Sequence, residues 1–182
     1  MLNSTQCNTG RNDCQRKRRV QSTRTVVFGG GPGAARVAIA RFGEDGVAAV
    51  WSDKRNFRTG YDVYGAVSLD GGRTFGPNQS VQDAFGDLTE QWHPAVAGNL
   101  DGSVAVVWDD NRDGTGDVWL AWRVAAAWSD SQAVPGASGP GEQTHPAVAL
   151  DARGNLHVVW VERDAAGGPT RLRYAFGQSK KD

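Results

Sequence analysis

Eight residues, Glu90-Gln91-Trp92-His93-Pro94-Ala95-Val96-Ala97, return as Glu142-Gln143-Thr144-His145-Pro146-Ala147-Val148-Ala149 at an offset of 52, and Trp160 follows Trp108 at the same offset. Register held through half a repeat means that the chain is assembled from copies of one supersecondary unit. An earlier copy is weaker at its start, Arg36-Val37-Ala38-Ile39-Ala40. It recovers at Val47-Ala48-Ala49-Val50-Trp51, which lies 57 residues before Val104-Ala105-Val106-Val107-Trp108. Each copy reads as a short inner strand (37–40, 95–97, 147–150), a Gly/Asp turn, and an apolar second strand ending at Trp51, Trp108 or Trp160. A polar loop and a third strand follow (61–68, 117–124, 171–176). Apolar runs of this length between turn residues read as strands covered on both faces.

A fourth strand is expected near 79–82 in the first copy. The second copy lacks the turn that leads to it, keeping only Trp128 roughly where Phe75 stands in the first, the third stops before its fourth strand, and 24–28 is a candidate replacement. Four-stranded units of this size suit the blades of a propeller. The expected fold is therefore all-β, a partial β-propeller of about three four-stranded antiparallel blades at 35–84, 92–138 and 144–177. These lie within a segment 25–182, behind a disordered basic tail at 1–24. The 24 glycines and 7 tryptophans suit a chain of many turns. One local pattern competes: Val26-Val27-Phe28-Gly29-Gly30-Gly31-Pro32-Gly33-Ala34-Ala35, with Asp53 after a further apolar strand, reads like a dinucleotide-binding turn. Its second strand, 47–51, already belongs to the repeat, and no helix-strand units follow.

Between the third and fourth strands of the first copy stands Ser68-Leu69-Asp70-Gly71-Gly72-Arg73-Thr74-Phe75, an S-x-D-x-G-x-T-F pattern with all defining positions filled. Such spacing suits a tight turn in which the Asp70 carboxylate accepts backbone N–H groups while Ser68 and Thr74 add short local bonds. Gly71 and Gly72 supply positive φ, and Phe75 wedges between sheets. The stretch resembles the Asp-box, or bacterial neuraminidase repeat, of sialidase-like β-propellers. That resemblance implies a fold more strongly than an activity. It places the Asp-box turn on one face of the wheel and the ligand on the other. It also implies an extracellular or cell-envelope protein of bacterial, secreted type. Of the family's catalytic residues, only one arginine has a counterpart, Arg36 in Ala35-Arg36-Val37-Ala38, set against a Phe/Tyr-Arg-Ile-Pro motif. No position matches the Tyr and Glu nucleophilic pair or the Asp acid. The expectation is a glycan-binding or extracellular interaction module that is not catalytic by itself. Part of an exo-α-sialidase-type glycoside hydrolase and a purely structural propeller fragment are the alternatives.

A formal net charge of zero hides an asymmetry, since residues 1–24 hold Arg11, Arg16, Lys17, Arg18, Arg19 and Arg24 against Asp13 alone. That leaves +5 on the tail and −5 on the remainder, and an acidic body argues against a nucleic-acid surface. Cys7 and Cys14 lack the spacing and His partners of a zinc site and suit a local disulfide if the protein is secreted. No signal-peptide h-region follows Met1 and no apolar run is long enough for a membrane span.

Two polar sets recur at blade period on the expected ligand face. Glu90 and His93 with Glu142 and His145 precede the inner strands; Asp53 with Arg55 and Asp110 with Arg112 follow the second strands, and the third copy keeps only Glu162 and Arg163. With Arg36, these suit sugar hydroxyls and anionic substituents. The competing reading is salt bridges between adjacent loops, with His-Pro only shaping the start of a strand. Asp109, Asn111, Asp113 and Asp117 follow the alternating start of a calcium loop, although Leu120 stands where its closing Glu belongs. Calcium is accordingly the one cofactor to consider. Three blades also leave two open lateral edges, so a homodimer or further blades from a longer chain are expected.

Overall fold

The computed structural model describes residues 35–55, 60–83, 89–165 and 168–179. The tail, both cysteines, the glycine-rich run and the candidate strand at 24–28 lie outside them. The described residues form three antiparallel sheets and no helix. The first runs β1 (Ala35–Phe42), β2 (Gly46–Asp53), β3 (Asp62–Ser68) and β4 (Gln79–Ser80), in that order. In the second, β5 (Gln91–Gly98), β6 (Val104–Asp110) and β7 (Asp117–Val124) are followed by an outer strand in two pieces. These pieces, β8 (Ala127–Trp128) and β9 (Gln132–Ala133), both pair with β7. The third sheet has three strands, β10 (Glu142–Leu150), β11 (Leu156–Arg163) and β12 (Thr170–Gly177).

Alternation of side chains across each strand builds the packing between sheets. Val106 and Trp108 of β6 face Val50, Val63 and Val81 of the first sheet. Ala105 and Val107, one residue out of phase, join Val118, Leu120 and Val134 against Val158 and Trp160 of the third. β6 is buried along its whole length, which explains its unbroken apolar run. Each such Val contributes roughly 1.5–3 kcal/mol by leaving water. The inner strands β1, β5 and β10 stand side by side, so the sheets fan outward from a common axis.

One end of the axis is made of turns. Gly43 N donates to Asn99 O at 2.8 Å, and Asn99 Nδ2 donates to Asp151 O at 3.0 Å, linking the β1–β2, β5–β6 and β10–β11 turns in series. The turn at 68–75 lies at this end, its Gly71 N bonded to Asp45 O at 2.8 Å. Asp70 Oδ1 accepts from Arg73 N and Thr74 N, both at 2.9 Å, and Oδ2 accepts from Thr74 Oγ1 at 2.7 Å. Ser68 Oγ donates to Asp70 Oδ1 at 2.7 Å and accepts from Gly72 N at 2.8 Å. Gly71 and Gly72 hold φ of 71° and 83°. The bonds from Thr74 and Ser68 keep the Asp70 carboxyl well below the usual carboxylate range. Phe75 is half-buried beside the turn. The opposite end gathers the starts of the inner strands, the ends of the second strands and the starts of the third.

Candidate functional site at the axial mouth

Each inner strand slips register against its neighbour once, and at the same place. The breaks fall between Ala35 and Val37, Trp92 and Ala95, and Thr144 and Ala147. The residues carried by these bulges are Arg36, His93 and His145, with φ of 47°, 49° and 55°. Two of them precede Pro94 and Pro146, which have no N–H to give a ladder and so favour a break there. A bulge re-aims its side chain, and because the inner strands are neighbours the three converge. With Val37, Pro94 and Pro146 they line one open depression of ≈ 320 Å³.

The imidazoles of His93 and His145 stack with centroids 3.8 Å apart. Behind them lies the buried Asp109 of β6. Its carboxylate meets His93 Nδ1 at 2.8 and 3.0 Å and accepts from His145 N at 3.2 Å. Burial pushes the Asp109 carboxyl up to about 7. Burial, and then the nearby Arg36 charge, lower His93; burial and the neighbouring His93 lower His145. The mouth is thus a cationic arginine beside two neutral-leaning imidazoles, one of which shares a proton with a buried acid.

The recurring Trp-x-Asp-x-Arg sets do something different. Asp53 Oδ2 accepts from Trp51 Nε1 at 3.2 Å and from Arg55 Nε and Nη2 at 3.1 and 2.6 Å. Asp110 Oδ2 accepts from Trp108 Nε1 at 3.2 Å and from Arg112 Nε and Nη2 at 2.8 and 2.5 Å. Both carboxylates are buried, and each guanidinium lies over an aromatic ring of the third strand: Arg55 over Tyr64 at 3.6 Å, Arg112 over Trp119 at 4.0 Å. The pairing is within each motif, apart from one bond between loops, from Arg112 Nη1 to Asp83 in the segment after β4 at 3.1 Å. In the third sheet Glu162 replaces the aspartate, and Trp160 Nε1 is left without an acceptor.

Glu90 and Glu142 sit at the junction edges. Glu90 Oε2 accepts from Trp92 Nε1 at 3.1 Å, and Glu142 Oε2 accepts from Gly116 N of the second sheet at 3.3 Å. Both line a smaller cleft of ≈ 190 Å³ with Trp92, Asn111, Thr115 and Thr144. The calcium-type residues are engaged elsewhere: Asp109 with the histidines, Asn111 Oδ1 with Glu90 N at 2.7 Å, Asp117 Oδ1 with Gly139 N at 3.2 Å. Asp113 lies in the same turn, which Gly114 closes at φ 101°. Among the described residues no three His, Cys, Asp or Glu are grouped to hold a metal.

Sequence reasoning missed the two glutamines of the repeat. Gln91 N donates to Tyr61 O at 2.7 Å and Gln143 N to Gly116 O at 2.6 Å, each reaching the residue before the third strand of the preceding sheet. With their amides turned to satisfy both ends, Gln91 donates to Asp62 Oδ1 at 3.2 Å and Gln143 to Asp117 Oδ1 at 2.8 Å. Both glutamines are buried, so they staple one sheet to the next. The signal was present, since Gln is invariant between the two copies of Glu-Gln-x-His-Pro.

Solved structures share this fold. A Hadza microbial sialidase superposes with a TM-score of 0.62 at 12% identity, covering 81% of this chain and 35% of its own. A PL25 ulvan lyase gives 0.59 at 15%, covering 84% and 43%. A GH93 α-L-arabinofuranosidase of Fusarium graminearum, in complex with arabinobiose, gives 0.57 at 16%, covering 80% and 46%. No family model and no curated protein matches the chain. The chain has the sialidase-like β-propeller fold that the Asp-box resemblance implies, and it spans less than half the length of each of these structures.

Proposed function

We propose that this chain is a glycan-recognising segment of a sialidase-like β-propeller, acting in the extracellular space or cell envelope, and that it binds sugar without turning it over by itself. The observation that carries the reading is the convergence of Arg36, His93 and His145 from three equivalent bulges into one open depression. Arginine can grip a carboxylate through two parallel bonds, and imidazole edges suit hydroxyls, so acidic sugars are favoured over neutral ones. The Asp53–Arg55 and Asp110–Arg112 pairs serve as props for the mouth rather than as ligands. An extracellular protein is the alternative partner. Membership of a longer sialidase-like glycoside hydrolase is the second reading, supported by Arg36 at the family's arginine position and by the proton-sharing contact of His93 with Asp109.

Isothermal titration with sialyllactose, a uronate oligosaccharide and a neutral oligosaccharide tests this. Arg36→Ala should weaken the acidic sugars about tenfold more than the neutral one, the equivalent of ~1.4 kcal/mol. Absence of binding to all three, or binding that Arg36→Ala leaves untouched, would sink the proposal. Hydrolysis of a fluorogenic sialoside lost on Arg36→Ala would replace it with the hydrolase reading.

A further inference from the structure

In a repeat protein, positions equivalent by register should share an environment unless a neighbour is missing. At the junction of the second and third sheets, Val118 and Leu120 of β7 are covered, with 0% and 7% exposure. Val118 pairs with Asp109 and Leu120 with Val107. Their register equivalents on β12 are Leu172, paired with Val161, and Tyr174, paired with Val159. These stand 81% and 57% exposed, and Val159 and Phe176 beside them are exposed too. This face of the third sheet is of the type that elsewhere receives a following sheet.

The first sheet shows the reverse. Val96 and Val148 pack into the two internal junctions from the inner strand of the sheet that follows. Their equivalent on β1 is Ile39, which is 69% exposed, with Val37 exposed alongside. This face is of the type that covers a preceding sheet. The two open faces are therefore the two different halves of one kind of junction. A propeller closes with roughly four to eight blades; three are too few, while two copies of this chain supply six.

We infer that the occupant of both faces is a second copy of this chain, the third sheet of each receiving the first sheet of the other, so that two identical junctions close a six-bladed ring about a two-fold axis. Head-to-tail faces form rings when the rotation closes and filaments when it does not, and six sheets let it close. The inference stands apart from the sugar reading and is tested without sugar.

Sedimentation velocity of the purified full chain should show a species of twice the 19.4 kDa chain mass. Leu172→Glu and Ile39→Glu alter exposed positions, so each should keep the parent's circular dichroism while sedimenting as a monomer. Mixing the two variants should restore dimer in part, because the mixed pair contains one junction free of both substitutions. A parent that stays monomeric overturns the inference. So does a dimer that survives Ile39→Glu but not Leu172→Glu, which marks like-with-like pairing of third sheets. Mass that grows without limit with concentration, or variants that fail to complement, overturns it as well.

Discussion

Removing the Asp110 carboxylate separates a prop from a ligand. Asp110 is buried at the end of β6 and accepts from Trp108 Nε1, from Arg112 N at 2.8 Å and from two guanidinium nitrogens. Asp110→Ala leaves the wholly buried Trp108 N–H without an acceptor, which costs ~1–3 kcal/mol. It also strands the Arg112 charge, and breaking a buried pair from one side costs ~3–5 kcal/mol. Arg112 is partly relieved, because its side chain keeps 15% exposure and its bond to Asp83. A combined loss of about 4 kcal/mol follows, at the lower end of these ranges taken together. That is a large share of the ~5–15 kcal/mol that holds a domain folded. Adding Arg112→Met should return about 1–2 kcal/mol by removing the stranded charge while keeping an apolar stem over Trp119. Urea unfolding with linear extrapolation reads both differences. A single variant within about 0.5 kcal/mol of the parent, or a double variant less stable than the single, refutes the reasoning. A folded Arg112→Met protein that has lost acidic-sugar affinity tenfold would make Arg112 a ligand residue after all.

Other consequences are open to measurement. Asp109 holds its proton up to about pH 7 when folded, against 3.8 ordinarily, so its protonation favours the folded state and stability is lost as pH rises from about 4 to 7. Asp62, pushed up to about 6 by burial and by Asp53, acts in the same direction, while the lowered His93 and His145 oppose it just below 6.5. Asp109→Asn should shrink or reverse the fall in urea midpoint between pH 5 and 7; an unchanged profile counts against the assignment. Asp70→Ala should abolish amide-exchange protection at Arg73 and Thr74 while leaving β6 protected, and persistent protection would mean that the turn holds without its carboxylate. Gln143→Leu removes the side-chain part of a staple between sheets and leaves Asp117 with the Gly139 N–H in place of two donors, so a loss of about 1–3 kcal/mol is expected in the same unfolding assay. Gly98→Ala should be more damaging than an exposed Gly→Ala change, because a Cβ there would strike Arg41 O across the first junction; a melting temperature equal to the parent's would contradict the close approach.

Much of this was readable in advance because the period and the tryptophans fix which strands pair. Trp51, Trp108 and Trp160 fall at equivalent places late in the second strands, which run on past the expected ends to Asp53, Asp110 and Arg163, and the third sheet has no fourth strand among the described residues. The divided outer strand of the second sheet was not legible, since β8 turns back after only two residues with Ala125 at φ 53°. Site residues were found as types, but their roles were not. Trp108 and Asp110 are two apart on a strand and so share a face, which makes a local indole–carboxylate bond the simplest outcome. That inference could have been drawn from spacing alone. Asp109 points the other way and meets His93 across the β5–β6 pairing at the bulge and the His145 N–H from the neighbouring sheet, 16 and 36 residues away, contacts that no local spacing announces.

The three bulges also place a ceiling on how stable this protein can be while its mouth stays intact. A side-chain-bearing residue in the left-handed region costs of order 1–3 kcal/mol, whereas glycine there forfeits only about 0.5–1 kcal/mol of chain entropy. Glycine at 36 would therefore harden the fold while erasing the cationic group at the axis, whereas at 93 the gain is offset by taking the imidazole partner from the buried Asp109. Selection for thermostability alone would favour glycine at 36, so a heat-hardened descendant of this chain is expected to lose the arginine of its mouth.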